Sequence, residues 1–467
     1  MSDSKNKRTY IFESAPIPKA VMTLAVPTII TQMINVIYNY ADTWYVGQTG
    51  NAAAVAAMSV AMPVFVIMAA IANLFGVGGA SLISRLLGEK RPEKARNAFA
   101  FCFWGGMAMA VVYILVIVFF RRPLIYLVGG DDNSFPYVYD YMFYTMILGA
   151  VPTLGSMLCG HLVRSVGAAK EAGIGMGLGG VLNILLDPLF MFVILPKGQE
   201  VTGAAIATML SNTVSFAYFI IYLLRHRENP VFTLNPKDFS MKDRIPAEVF
   251  FIGFPAALQT TLAMVSNIFA NVFVRGYGTE AVSGMGVAKK INMLAFNTTM
   301  GLTMGILPLI GYNIGAKNAK RIRQTVRFTF AVALGFGLVC LGLFIGFAEP
   351  LVRFFVKEEK SIEFGARFMR VIAFAAPLCS VTYLINTVFQ AAGQRYKSLL
   401  LSVMRKGIAD VPLMALFSLT LGMGEMGVVI ATPVAEIISA FVAVILYVRF
   451  AKHLAALEKE AATPSDG

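Results

Sequence analysis

Twelve apolar stretches, centred near residues 34, 67, 109, 150, 183, 214, 260, 296, 336, 377, 409 and 438, decide what this chain can fold into. Each is long enough to cross a bilayer, since about 20 residues rising 1.5 Å apiece span the hydrocarbon. A helix satisfies its backbone hydrogen bonds internally, which is what lipid demands of a crossing segment. Composition agrees: 57% of the 467 residues are hydrophobic and 14% are charged, where a soluble domain carries about 25% charged residues. The expected fold class is an all-α polytopic membrane protein.

The net charge of +13 invites a nucleic-acid reading, but its distribution excludes one. Most Lys and Arg fall on alternate connecting segments and the helix ends beside them, the bias that marks the cytoplasmic side. Both termini are therefore expected in the cytoplasm, with no nucleic-acid partner. The first nineteen residues, MSDSKNKRTYIFESAPIPK, lack the apolar core of a cleavable signal. Cys102, Cys159, Cys340 and Cys379 each sit alone in apolar runs, which implies neither a disulfide framework nor a metal site.

The longest polar connection divides the chain into spans one to six (residues 1–224), a cytoplasmic linker (225–247) carrying Pro230, Pro236 and Pro246, and spans seven to twelve (248–467). The halves resemble one another. SLISRLLGEKRPEKAR after span two returns as PLIGYNIGAKNAKRIR after span eight, and GAAIAT at 203–208 returns as GVVIAT at 427–432. Pro27/Pro255, Pro152/Pro377 and Asp187/Asp410 recur in the same order. Six spans per repeat insert both halves the same way up. Two six-helix lobes should then be related by a pseudo-two-fold axis along the membrane normal, with a binding site between them. GMGLGG at 175–180 satisfies G-x-G-x-x-G, but no strand precedes it and no acid follows at the required distance, so dinucleotide binding is not expected. Those glycines are expected to let helices approach closely inside span five.

Ionisable and amide side chains inside apolar spans are costly and mark function. Span one carries Asn35, Asn39 and Asp42 on one helical face. Span five carries Asn183 and Asp187, four apart, and span six carries Thr208 and Asn212. On the expected topology these groups reach similar depth in the first lobe. Oxygen ligands of this kind suit a hard cation, and two carboxylates repelling each other in a poorly solvated site equally suit a proton. Pro188 frees a carbonyl beside Asp187. In the second lobe Ala270 stands where Asp42 stands, Asp410 matches Asp187 and Glu436 matches Asn212. Lys406 lies four residues before Asp410, with Arg405 adjacent, so an intramembrane ion pair or a second coupling site is expected there.

These residues resemble the multidrug and toxic compound extrusion (MATE) family, over roughly residues 15 to 450. The motifs are YNYADTWYVG, GEKRPEKAR, NILLDP at 183–188, GAAIAT at 203–208 and VFQAAGQRYKS at 388–398. The likeness is greatest to the bacterial branch of DinF-like and MepA-like exporters. By motif match the resemblance implies an ion site at Asp42, Asn183, Asp187 and Thr208, with Tyr141 also falling in the family pattern on span four. A substrate cavity would add Asn35, Asn39 and Asn212. The NorM-like branch places acids on spans seven and ten. Here span seven has none and Gln394 holds the span-ten position, so a NorM-type sodium site is not implied.

The resemblance implies an antiporter of the bacterial plasma membrane, acting as a monomer without a cofactor. Amphipathic, often cationic, compounds would leave in exchange for protons, the favoured ion, or sodium. The alternative is a flippase for a lipid-linked saccharide, which would need a strongly cationic cavity. An enzyme would need a nucleophile–base or metal cluster, and none is legible around His161, His226 or His453. A channel would need a symmetric ring of ligands, which two unlike lobes cannot supply.

Overall fold

The computed structural model describes residues 9–48, 52–132 and 134–462, and every regular element among them is helical. Twelve elements follow in order among the described residues, and eleven of them, counting each bent pair as one, are long and apolar enough to cross a membrane. The first six are α1 (Ile17–Gln48), α2 (Ala52–Gly88), α3 (Pro92–Leu127), α4 (Phe135–Leu148 with Ala150–Ser165), α5 (Ala169–Ile194) and α6 (Glu200–Arg225). The second six are α7 (Ile245–Arg275), α8 (Thr279–Gly315), α9 (Ala319–Gly346), α10 (Glu359–Ile372 with Ala375–Ala391), α11 (Arg395 to Thr420) and α12 (Gly424–Ala462). All twelve coincide with the apolar stretches. The α11 run is the least apolar, because it carries Arg395, Lys397, Arg405, Lys406 and Asp410.

The breaks in these helices have identifiable causes. α4 bends by 53° and α10 by 44°. Pro152 and Pro377 follow the two bends, and neither can donate a hydrogen bond to the carbonyl four residues earlier, at Leu148 and Ala373. The proline pair that recurs in the sequence thus marks a recurring bend. α-Helix gives way to π-helix at Leu189–Ile194, directly after Asp187 and Pro188, and at Met404–Ala409, directly before Asp410. Such insertions gather at functional sites. A short amphipathic helix, Ala348–Phe355, lies between α9 and α10 and had no sequence signal beyond its aromatic end.

Two compact units form, one from the described residues of Met1–Ile29 with Leu262–Gly467, the other from Ile30–Thr261. This differs from the expected boundary at the linker, because α1 and α7 each divide. The cause is glycine. A Cβ added to Gly301 or Gly305 of α8 would come within 2.7 and 2.6 Å of the Cα atoms of Ile29 and Ala25, so the first part of α1 nests on α8. In the other unit, a Cβ on Gly78 of α2 would lie 2.2 Å from the Val249 carbonyl oxygen, and one on Gly253 would lie 1.8 Å from that of Leu74. The first part of α7 nests on α2 in the same manner. Arg85 and Glu248 close that contact with an ion pair of 2.8 Å.

A strap at residues 9–15 completes the unit that contains α8 to α12. Arg321 of α9 donates to the carbonyls of Phe12, Ile11 and Ala15 at 2.6, 2.8 and 2.9 Å. Tyr312 stacks on Phe12 at 4.8 Å and donates to Glu13 at 2.6 Å. The carbonyls that a short helix leaves unsatisfied are thereby capped by a buried guanidinium. Phe119, Leu127 and Val193 remain largely exposed, as side chains facing lipid tails do.

Candidate functional site

In the unit built from Ile30–Thr261, α5 and α6 meet through a small polar centre. Asn183 Nδ2 donates to Asp187 Oδ1 at 3.3 Å and to Thr208 Oγ1 at 3.1 Å. Asp187 is completely buried and Asn183 nearly so. Asp42, on α1, lies within electrostatic reach of Asp187, and Tyr141 of α4 lies within reach of both carboxylates. Four helices therefore contribute. The close approach of α1 depends on the glycine run of α5: a Cβ on Gly180 would come 2.5 Å from Ile34 Cγ2, and one on Gly177 3.1 Å from Ile34 Cδ1. GMGLGG is packing surface, as expected.

The decisive feature is an excess of acceptors. Asp42 Oδ1, Asn183 Oδ1 and Asp187 Oδ2 are all sealed from solvent, and none receives a hydrogen bond among the described residues. Buried polar oxygens without partners are costly. Three of them together call for a positive charge or a proton, which turns an acceptor into a donor.

The remaining candidates lie farther from this centre or serve their own helices. Asn35 Nδ2 donates to Gln32 Oε1 at 3.2 Å, Asn39 Nδ2 to the Asn35 carbonyl at 2.6 Å, and Asn212 Nδ2 to the Thr208 carbonyl at 3.0 Å. One neighbour escaped the sequence reading. Tyr38, one turn before Asp42, is within electrostatic reach of Asp42 and Asp187, and its spacing of four from Asp42 was a usable signal.

The second unit repeats this centre with one change. Asp410 is completely buried and saturated: Lys406 Nζ donates to Oδ2 at 2.8 Å, Ser266 Oγ to Oδ2 at 2.5 Å and Thr432 Oγ1 to Oδ1 at 3.4 Å. Thr432 occupies the repeat position of Thr208, and Lys406 that of Asn183. The ammonium of Lys406 fills, on a tether, the role for which the first unit has only unfilled oxygens. If it does, swapping Lys406→Asp with Asp410→Lys should restore stability lost in either single variant. A double-mutant cycle of thermal unfolding in detergent should give a coupling of about 0.5–3 kcal/mol, and zero coupling would contradict the pairing.

Glu436 does not join Asp410. Its Oε1 accepts from Arg405 Nε at 2.6 Å, with both side chains at most 5% exposed. Arg405 also donates to Cys379 Sγ at 3.3 Å and stacks 4.2 Å from the Tyr383 ring centre. Lys289 belongs to α8 and donates to Asn267 Oδ1 at 3.2 Å.

The sequence family MatE matches this chain twice, at residues 27–189 and 255–416, once in each repeat. The chain belongs to the MATE family. MATE transporters have the twelve-helix, two-lobe fold described above. The multidrug export protein MepA of Staphylococcus saprophyticus subsp. saprophyticus is 28% identical over 442 residues, covering 95% of this chain and 96% of its own. MepA of Staphylococcus aureus is 28% identical over 449 residues, with the same coverage. Among solved structures, a MATE protein in complex with MaL6 superposes with a TM-score of 0.89 at 24% identity, covering 97% of this chain and 99% of that one. The outward-facing conformation of a multidrug resistance MATE transporter matches with a TM-score of 0.85 at 25% identity, covering 95% and 97%. This chain is accordingly a multi-pass membrane protein of the MATE family.

Proposed function

We propose that this MATE transporter is an antiporter that expels amphipathic, often cationic, compounds in exchange for a cation held by Asp42, Asn183, Asp187 and Thr208. The observation that carries this reading is the set of three buried, unfilled oxygens in the first unit, beside a second unit whose matching carboxylate is already answered by Lys406. A cation arriving from outside and a cationic drug compete for the same negative charge, and that competition is the differential affinity exchange requires. A proton is the favoured ion, because one carboxyl hydrogen satisfies the acceptors without further ligands. A sodium ion would need more oxygens, with the carbonyl that Pro188 frees at Ile184 as the nearest supplement. Asn35, Asn39, Tyr141 and Asn212 border the drug's path in this reading. The protein works as a single chain in a bacterial plasma membrane with both ends in the cytoplasm.

The flippase alternative asks for a cationic cavity. Arg405 and Lys406 are each bound to a carboxylate of their own unit, which leaves little free positive charge for a pyrophosphate. Proteoliposomes loaded with a fluorescent amphipathic cation separate the possibilities. An imposed proton gradient should drive its export and a sodium gradient alone should not; export driven only by sodium would reverse the choice of ion, and no export under either would remove antiport.

A further inference from the structure

In the unit containing α8 to α12, three cationic side chains meet two carboxylates. Arg405 is matched by Glu436 and Lys406 by Asp410. Lys289 is left over. Among the described residues no carboxylate lies within ion-pair distance of it, and its ammonium donates to the amide oxygen of Asn267. Lys406 repels it and Asp410 attracts it, which places it beside the polar cluster. It stands ten residues into α8, about 15 Å from the start of the helix, inside the apolar stretch of that span. A half-buried ammonium at that depth is expensive and implies an occupant or a pathway.

Asn267 points to the class of occupant. Its side chain is exposed, and with Oδ1 accepting from Lys289 its two amide hydrogens remain as donors beside the ammonium. An ammonium and a carboxamide N–H side by side suit an acceptor with two oxygens. Asn267 occupies the repeat position of Asn39, whereas Met62 occupies that of Lys289, so the first unit carries no such cation.

We propose that Lys289 and Asn267 form a receptor for the carboxylate of zwitterionic amphipathic substrates, so that the transporter recognises drugs bearing an acid as well as a cationic centre. This rests on the export reading above and narrows its substrate class. The surplus charge of one suits a monoanion. The neighbouring Lys406 cannot take the role, since its ammonium is already committed to Asp410.

The test uses the full-length protein in lipid nanodiscs and a matched pair of probes, an amphipathic amine bearing a free carboxylate and its methyl ester. Calorimetric affinities should favour the acid over the ester by about tenfold, the size of one charge-assisted hydrogen bond. Lys289→Met should abolish that preference and leave ester affinity unchanged, and Lys289→Arg should keep it. Asn267→Asp supplies an internal carboxylate to Lys289 and should erase the preference by a separate route. An acid bound no better than its ester, or a preference that survives both Lys289→Met and Asn267→Asp, overturns the proposal. If neither probe binds, the export reading fails as well, so the two failures are distinguishable.

Discussion

Asp187→Asn should reduce gradient-driven efflux to the level of empty liposomes while the purified protein keeps its melting temperature. Asparagine has the shape of aspartate and can still accept the hydrogen bond from Asn183 Nδ2 that Asp187 Oδ1 now receives at 3.3 Å. It cannot exchange a proton and brings no charge to a cation. It also replaces one of the three unfilled oxygens with a donor or a neutral acceptor, so the fold should lose nothing or gain slightly. Efflux measured beside thermal unfolding separates the two effects, and undiminished export by a well-folded variant would remove Asp187 from the mechanism. Asp42→Asn should behave alike, since it supplies another of the three oxygens. Ala270, its repeat partner, is buried and without polar function, and Ala270→Ser should leave transport intact.

The largest loss of stability is expected at Glu436. Glu436→Ala would leave the Arg405 guanidinium buried without a carboxylate, beside the Cys379 thiol and the Tyr383 side chain. Removing one partner of a buried ion pair costs about 3–5 kcal/mol, because the other charge stays desolvated and unanswered. Removing both should not. Arg405→Met together with Glu436→Leu should return most of the lost stability, since apolar residues of similar volume often replace a buried pair without penalty. Chemical unfolding in mixed micelles compares the variants. A single variant as stable as the parent would show that the pair contributes little, and a double variant no better than the single would show that shape rather than charge governs the site.

Much of this architecture was legible because its causes are local. Length and apolarity set the twelve spans. The recurring Pro152 and Pro377 set the bends, and residues spaced by four brought Asn183 to Asp187 and Lys406 to Asp410. What escaped depends on distance along the chain. The division of α1 and α7 between units follows from backbone approach at Gly78, Gly253, Gly301 and Gly305, and a glycine in an apolar run does not announce its partner. The strap was hidden because residues 9–15 fall in a stretch with no apolar core, while the guanidinium that holds them lies about three hundred residues away, at Arg321. Glu436 was matched to Asn212 by repeat position, yet it answers Arg405, which the first repeat replaces with Leu182. Repeat logic transfers position and fails where one copy has changed its charge.

The central claim, that ion and drug compete for the carboxylates of the first unit, is tested most directly by counting protons. Binding of a fluorescent amphipathic cation is measured calorimetrically at pH 7, without sodium, in two buffers of different ionisation enthalpy. The account predicts release of up to about one proton per bound cation, and none from Asp187→Asn. Binding that releases no proton from the parent at any pH between 5 and 8, yet weakens as sodium is added, would contradict the proton and hand the exchange to sodium.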